Sequence, residues 1–539
     1  MTFAIDPARL EALPPDLREM FEMQAAMLMA EQAARGHLER ELADAKADNE
    51  RLALLVKEFQ RLRHGRRSEK LDPDQLNLAL EAIETAIAEV QESEHQRRKR
   101  RGDATGEAVK NRPGRGARIF PADLPHIERV IEPAELACPC GCGEMVRIGE
   151  DVSKRLDVIP AQFRVIVTIR PRYACPKSCA GVVQAPAPVH LIEGGTPTEA
   201  LLAHVAVARY SEHMPLYRQA QVFARHGVPV SRSVLADWMG SVGFHVAPVV
   251  DRMHAILCSS TKLFMDETTA PVLDPGRGRT KTGYLWALVR DDRSWNGPDP
   301  PCVVFHYAPG RAGAHAERLL DGFDGVLQVD GYAGYHRLAR PERKGGTPLT
   351  LAHCWSHGRR EIIKATPKAG SPVADEILAR IAALYRIEGE IRGRDAQARL
   401  QIRGERSRPL VDELGTFLRA QAERLSPKSN MGKAVAYLLN HWKGLCVFLD
   451  DGRVEMDTNA AENSIRPLSL SRKNALFAGH DEGGRNWARI ASLIGTCKLN
   501  GVEPFAYMTF LLEALAAGHP QARIDELMPW NHKPSLAEG

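Results

Sequence analysis

Short apolar runs between residues 260 and 365 limit the possible folds more than any other feature of the chain. KLFMD, TGYLWALVR and CVVFHYAP are rich in branched and aromatic side chains, so they predict three strands. AGAHAERLLDGF then predicts a helix, GVLQVD and LTLAHC predict two more strands, and WSHGRREIIKA predicts a second helix. The sequence therefore predicts an α/β domain around these five strands.

Three acidic residues stand in apolar settings. Asp266 ends the first predicted strand, Asp330 ends the fourth, and Glu462 lies in the helix-compatible stretch NAAENSIRP. The order of the elements is that of an RNase H-like domain, in which the first and fourth strands can be neighbours. Two carboxylates from neighbouring strands and one from a later helix can hold two divalent metal ions for phosphoryl transfer. Each of these acids alone would more often be solvated or an N-cap.

Other polar residues beside these acids have simpler interpretations. Glu267 follows Asp266 and should point to the opposite face of the strand. His353 and His357 would be one helical turn apart, which fits a metal site, but we interpret them as structural or substrate-contacting residues.

The chain is long enough for several domains, because 539 residues exceed one ordinary core. We predict a multidomain α/β protein with an RNase H-like catalytic core and a helical insertion, preceded by a coiled coil, a zinc ribbon and a helix-turn-helix. The predicted regions are a helical coiled-coil region (1–94), a basic flexible linker (95–125), a zinc-ribbon-like domain (126–192), a helix-turn-helix region (193–250), the first part of the core (258–370), the inserted helical subdomain (371–450), the second part of the core (451–500) and a C-terminal helical segment (501–539).

The first helical region carries a heptad seam. Its apolar positions are spaced alternately four and three residues apart: Leu38, Leu42, Ala45, Asn49, Leu52, Val56 and Phe59. A polar Asn at an a position fixes register and strand number. This pattern favours a dimerising coiled coil over an amphipathic helix packed on its own chain.

The linker is basic although the net charge of the whole chain is only +4. QRRKRRGDATGEAVKNRPGRGAR is either a solvated tail or a segment that contacts DNA phosphates. The N-terminus lacks a secretory signal, and no apolar run approaches the roughly 18 residues of a membrane helix. We therefore expect a cytoplasmic protein with no membrane partner, whose cysteines stay reduced.

Two cysteine-containing knuckles flank a predicted strand. ACPCGCGEM and CPKSCAGVV can supply four thiolates for a tetrahedral Zn²⁺ site. Cys138 and Cys142 match the C-x3-C spacing of Cys175 and Cys179, so these four are the predicted ligands, and Cys140 is the alternative. The alternatives, a disulfide or free thiols, are the weaker interpretation for a cytosolic chain.

A helix, a turn and a second helix follow. YRQAQVFARHG predicts a helix that ends at Gly227, and Ser231 can cap the helix SRSVLADWMG. Arg232 and Ser233 would then begin a recognition helix and contact DNA. A helical hairpin without a DNA role fits the same pattern.

The chain resembles the IS66-type insertion-sequence transposases over nearly its full length. The motifs that carry the resemblance stand in the right order: IGEDVSKRLDVIPAQFRVIVTIRPRYAC, VVQAPAP, HMPLYRQAQVFARHGV, MDETT, QVDGYAGY, HCWSHGRR, NAAENSIRP and SRKNALFAGHDEGG. The resemblance implies a zinc-finger-like segment, a helix-turn-helix and a DDE catalytic domain with Asp266, Asp330 and Glu462 as its triad. The C-x3-C spacing at Cys175 departs from the C-x2-C common in the family.

These motifs predict a transposase that binds the ends of an IS66-like element, cleaves DNA and joins the 3′ ends to target DNA, using Mg²⁺ (or Mn²⁺) and Zn²⁺. We expect double-stranded DNA, a homo-oligomer and element-encoded accessory proteins as partners, and a nucleoid-associated location in a bacterium. Arg466, Arg472 and Lys473 are predicted to grip DNA phosphates, with a solvated helix face as the alternative. A metal-dependent nuclease and a catalytically inactive DNA-binding regulator are the alternative functions.

Overall fold

A computed structural model describes residues 126–159, 162–176, 181–274, 279–367, 370–475, 478 and 480–532, together with isolated positions between Pro14 and Gln96. The predicted coiled-coil seam lies outside the described residues, apart from Leu42, which is helical. The predicted basic linker also lies outside them apart from Gln96, as does Cys179. These predictions therefore stay predictions.

A mixed sheet of four strands opens the described part of the chain. Its central strand β3 is parallel to β1 and antiparallel to β2 and β4. Alternation along FRVIVTIR buries Phe163, Val165 and Val167 on one face, against the helices that follow. The strands are β1 (His126–Val130), β2 (Val146–Ile159), β3 (Gln162–Ala174) and β4 (Val182–Gln184).

Four helices lead from this sheet to the next one, and two of them are the predicted helix pair. Ser231 caps the second helix of the pair by accepting a hydrogen bond from the backbone N–H of Val234 at 3.3 Å. Gly227 has a φ of 76°, which lets the chain leave the first helix sharply. The helices are α1 (Glu199–Tyr210), α2 (Leu216–Arg225), α3 (Arg232–His245) and α4 (Ala247–Cys258).

The second sheet has five strands in the order β7-β6-β5-β8-β9. The first three strands in sequence are antiparallel neighbours, whereas β5, β8 and β9 run parallel. All five lie where the sequence predicts them. The strands are β5 (Lys262–Asp274), β6 (Arg279–Arg290), β7 (Cys302–Ala308), β8 (Val326–Val329) and β9 (Thr350–His353), and the helices between and after them are α5 (Gly313–Leu319) and α6 (Trp355–Ala365).

One boundary in this sheet was predicted wrongly. Asp266 does not end its strand, because β5 continues to Asp274. The pairing with β6 runs without interruption from Phe264 to Asp274 and satisfies the backbone of the extra residues. Asp266 instead lies just beyond the short segment that pairs with β8.

A helical region follows the sheet, and the bounds 371–450 of the predicted insertion stay a prediction. It has its own apolar core, which reaches the sheet through Val326 of β8 and Ala352 of β9. Its elements are α7 (Pro372–Ile391), α8 (Ala396–Ile402), a π-helical turn (Arg403–Ser407), α9 (Arg408–Arg424), α10 (Asn430–Asn440) and α11 (Trp442–Cys446).

The C-terminal helices complete the core on both faces of the five-stranded sheet. They are α12 (Asn459–Ala475), α13 (Asp481–Leu499) and α14 (Pro504–Ala516). Alternation along β5 places Phe264 in one apolar cluster with Ala461 and Ile465 of α12, and Leu263 and Met265 in another cluster on the opposite face. Among the described helices, none has the length and apolar character needed to cross a membrane.

Candidate functional site

The register of β5 and β8 brings two predicted acids level with each other. Lys262, Leu263 and Phe264 pair with Val326, Leu327 and Gln328 in parallel. Continuing this register sets residue 266 opposite residue 330, which directly follows β8. Strands β5 and β8 are therefore neighbours, as the sequence predicts, whereas the roles of the two aspartates stay predictions.

Glu462 comes to the same face of the sheet from α12. It lies in the first turn of that helix, next to Ala461, which packs with Phe264. Asp266 lies two residues after Phe264 and so shares its face of β5. The packing of α12 thus places the third acid near the first, although 196 residues separate them in the sequence.

Electrostatics support this proximity. The pKa of Asp266 is raised to about 7, mainly because burial penalises its charged form and next because of the charge on Glu267. Asp330 and Glu462 also raise the pKa, while a hydrogen bond of 2.8 Å from the backbone N–H of Glu267 opposes them. Three neighbouring carboxylates therefore disfavour the charged form of Asp266, and a bound cation would favour it.

Two residues missed by sequence reasoning hold Glu267. Arg311 and Tyr335 both donate hydrogen bonds to the carboxylate of Glu267, and the side chain of Glu267 is fully buried. Arg311 also lies 3.9 Å from the carboxylate of Asp330 (Nη2 to Oδ2). Tyr335 belongs to the apolar cluster on the other face of the sheet, so Glu267 points away from Asp266 as predicted. Because Arg311 follows β7 and Tyr335 follows β8, only the tertiary fold brings them to Glu267.

Glu462 faces two residues of α6. Its carboxylate lies 3.7 Å from Nδ1 of His357 and 3.6 Å from Nη2 of Arg360, both beyond ordinary hydrogen-bond length. Oε1 of Glu462 and Nδ1 of His357 are buried without a hydrogen-bond partner. An unpartnered buried oxygen is expensive, and a bound metal ion would satisfy it. His357 and Arg360 both lie in the motif HCWSHGRR, and residues three apart share a helix face.

The ligand atoms of the three acids do not all lie within 4.8 Å of one another. Among the described residues, three other groups of potential ligands meet this limit, and none of these groups contains all three acids. The groups are Cys138, Cys140, Cys142 and Cys175; His336, His353 and His441; and Cys354, His357 and Glu462. The donor set of the triad, three carboxylates with one orphaned oxygen, fits Mg²⁺ chemistry. Asp266, Asp330 and Glu462 are the residues that would hold such ions.

The predicted DNA-contacting residues have different surroundings. Arg232 and Ser233 begin α3 and are half-buried, and Arg466 is exposed on α12. Arg472 instead binds β5, because its Nη1 donates to the backbone oxygen of Thr269 at 2.8 Å and to Oγ1 of Thr268 at 3.3 Å. The side chain of Lys473 lies outside the described residues.

A separate cluster of thiols lies beside the four-stranded sheet. Sγ of Cys138 is 2.9 Å from Sγ of Cys140, and Sγ of Cys142 is 3.0 Å from Sγ of Cys175. All four sulfurs lie within 4.8 Å of one another, whereas sulfurs around tetrahedral zinc are roughly 3.8 Å apart. The donor set therefore fits Zn²⁺. The cluster contains three of the predicted ligands, Cys138, Cys142 and Cys175, together with Cys140, whereas Cys179 lies outside the described residues.

Comparison with known families matches most of this architecture. A family model described as the Transposase IS66 family matches residues 194–486, and the IS66 C-terminal element matches residues 492–530. The zinc-finger binding domain of transposase IS66 matches residues 135–178, which contain the cysteine cluster. A model described as Transposase C of IS166 homeodomain matches residues 51–129.

Two relatives match this chain over most of its length. The uncharacterized protein y4qI of Sinorhizobium fredii is 43% identical over 537 residues, which cover 98% of each chain. The uncharacterized protein y4jD of the same organism is 42% identical over 482 residues, which cover 88% of this chain and 93% of the relative. By these matches, from the zinc finger to the C-terminal element, the chain belongs to the IS66 transposase family.

Proposed function

We propose that this chain is a DDE transposase with an RNase H-like core, which cleaves DNA at the ends of its insertion sequence and joins the 3′ ends to target DNA. The carrying observation is the register that sets Asp266 level with Asp330, with Glu462 on the same face of the sheet. The strand order β7-β6-β5-β8-β9, with one antiparallel half and one parallel half, supports the RNase H-like core.

In this proposal the three carboxylates hold two Mg²⁺ (or Mn²⁺) ions. Bound divalent ions would lower the pKa of the attacking water or DNA 3′-hydroxyl and stabilise the departing 3′ oxygen. Asp266 and Asp330 would bind the metal from adjacent strands, and Glu462 from α12. Arg311 fixes Glu267 and lies beside Asp330, so it limits how far that aspartate can move.

The upstream modules supply DNA binding and assembly in the same proposal. Zn²⁺ held by the cysteine cluster would stabilise the zinc finger, and Arg232 and Ser233 at the start of α3 would contact DNA. Arg466 and Lys473 would contact phosphates near the triad. The heptad seam in residues 38–59 would pair copies of the chain, because joining two element ends needs a multimer.

Strand transfer with a labelled element end and Mg²⁺ tests the proposal. Asp266→Ala and Asp330→Ala should each reduce cleavage and joining on the order of 10³-fold or more, since the metal clamp would be incomplete. Asp412→Asn, which changes an exposed carboxylate of α9, is the matched control and should retain activity. Full activity of Asp266→Ala would rule out this triad.

The same assay separates the alternatives. Cleavage without joining would identify a metal-dependent nuclease. Specific binding of element ends without cleavage, under conditions in which the elements' accessory proteins are supplied, would identify a DNA-binding regulator.

A further inference from the structure

Three histidines form a cluster beside the carboxylates that the proposed DNA chemistry does not use. His336 lies in the 3₁₀ segment Ala333–Ala339 after β8, His353 ends β9, and His441 follows α10. Each offers a ring nitrogen, and these atoms lie within 4.8 Å of one another. The rings of His353 and His441 are perpendicular, with centroids 4.7 Å apart, and His336 is 6.2 Å from His441.

The hydrogen-bond pattern leaves a ring nitrogen of His441 and one of His353 available to bind a metal ion. Nδ1 of His441 donates to the backbone oxygen of Tyr437 at 2.8 Å, because a carbonyl can only accept, and this leaves Nε2 with its lone pair. Metal-binding histidines characteristically donate their other ring nitrogen in this way. Nδ1 of His353 is buried without a hydrogen-bond partner, which is a cost that a bound metal ion would remove.

The fold leaves room for the ring of His353 at Gly444. A Cβ at position 444 would collide with Nδ1 of His353. Any larger residue at 444 would displace the ring.

The donor set selects the class of ion. Three imidazoles suit Zn²⁺ and neighbouring late transition metals, whereas Mg²⁺ prefers the oxygens of the carboxylate triad. Nitrogens around tetrahedral zinc are about 3.3 Å apart, so the present spacing requires a closure of about 1.5 Å at most. His336 is exposed and can supply that movement by rotating its side chain.

We propose that His336, His353 and His441 bind one zinc-class transition-metal ion, with water in the fourth position. The ion would join three elements: the segment after Asp330, the edge strand β9 and the helical insertion. Tyr437 of α10 already contacts that turn, because a Cβ at Gly331 would lie 2.3 Å from its hydroxyl. The site would thereby fix the insertion against the turn that carries Asp330.

Metal analysis of the full-length protein tests this site without any DNA. The protein is loaded with Zn²⁺ in excess Mg²⁺, freed of unbound metal and analysed for zinc per chain. His336→Gln and His441→Gln should each bind about one zinc fewer than the wild type. His315→Gln, a half-buried histidine of α5 that pairs with Arg318, is the matched control and should bind as much as the wild type.

Co²⁺ substitution distinguishes this ion from the one at the cysteines. Both histidine variants should keep the thiolate-to-cobalt absorption of the cysteine site and lose only the weaker bands of nitrogen-bound cobalt. Zinc content equal to the wild type in His336→Gln, whose side chain is exposed and whose fold circular dichroism can check, would overturn the site. This outcome is independent of strand-transfer activity, so a failure here leaves the DNA chemistry untouched.

Discussion

The cysteine cluster and the carboxylate triad differ in how far the folded chain assembles them. Three of the four clustered cysteines lie within five consecutive residues, and the fourth directly follows β3, so their sulfurs meet within 4.8 Å. Asp266 lies in β5, Asp330 directly follows β8, and Glu462 comes from a distant helix. Local sequence therefore brings most of the thiolates together, whereas the carboxylates approach one another only through the tertiary fold.

The largest expected effect tests whether Cys140, rather than the more distant Cys179, is a zinc ligand. Cys140→Ser should lose about one zinc per chain, and Cys179→Ser should keep it, because Cys140 completes the observed cluster. Zinc content and the thermal midpoint of the full chain would be measured, with Cys258→Ser, a half-buried cysteine of α4, as control. Zinc loss in Cys179→Ser alone would restore the sequence-based choice and make the site less local.

A smaller effect tests whether burial and the neighbouring carboxylates disfavour the charged form of Asp266. The pKa of Asp266 in the folded chain is about 7, above its ordinary value of 3.8, so its protonated form stabilises the fold at low pH. That stabilisation is lost as the pH rises from about 4 to about 7. Without divalent cations, Asp266→Asn should therefore be more stable than the wild type at pH 8 by about 2–4 kcal/mol, and should lack this pH dependence.

Thermal or denaturant unfolding at pH 4.5 and pH 8 would measure this difference. Mg²⁺ should raise the stability of the wild type at pH 8 more than that of Asp266→Asn, because the ion offsets the charge. The exposed Asp412→Asn serves again as control. A variant less stable than the wild type at pH 8 would mean that burial and the neighbouring carboxylates do not disfavour the charged form of Asp266 in the folded chain.

The smallest effect concerns two arginines on the helix that brings Glu462 to the site. Arg466→Ala should weaken DNA binding by about 1 kcal/mol, lower the salt dependence by about one phosphate contact and leave the thermal midpoint unchanged. Arg472→Ala should lower stability by about 1–2 kcal/mol, because its bonds to Thr268 and Thr269 are lost. Equal effects of the two variants on DNA binding would show that Arg472 also reaches DNA.

The sequence predicted much of the fold because its signals are local. The five strands of the core, the cap at Ser231 and the helical insertion all follow from hydrophobic period and capping chemistry. The end of β5 was predicted wrongly, because its last residues are held by pairing with β6 rather than by their own apolar pattern. Strand pairing is non-local, so periodicity alone cannot set such a boundary.

The sequence by itself determined the chemical types at the site and the order in which they occur. Apolar runs fixed where Asp266 and Asp330 stand, and two turns with glycines fixed the cysteine knuckles. Only the tertiary structure decided which side chains contact one another at the site. Arg311 and Tyr335 bind Glu267, and His357 and Arg360 face Glu462. Three histidines from separate elements meet in one cluster. Such contacts depend on how elements pack across long sequence separations, and local pattern carries no information about that packing.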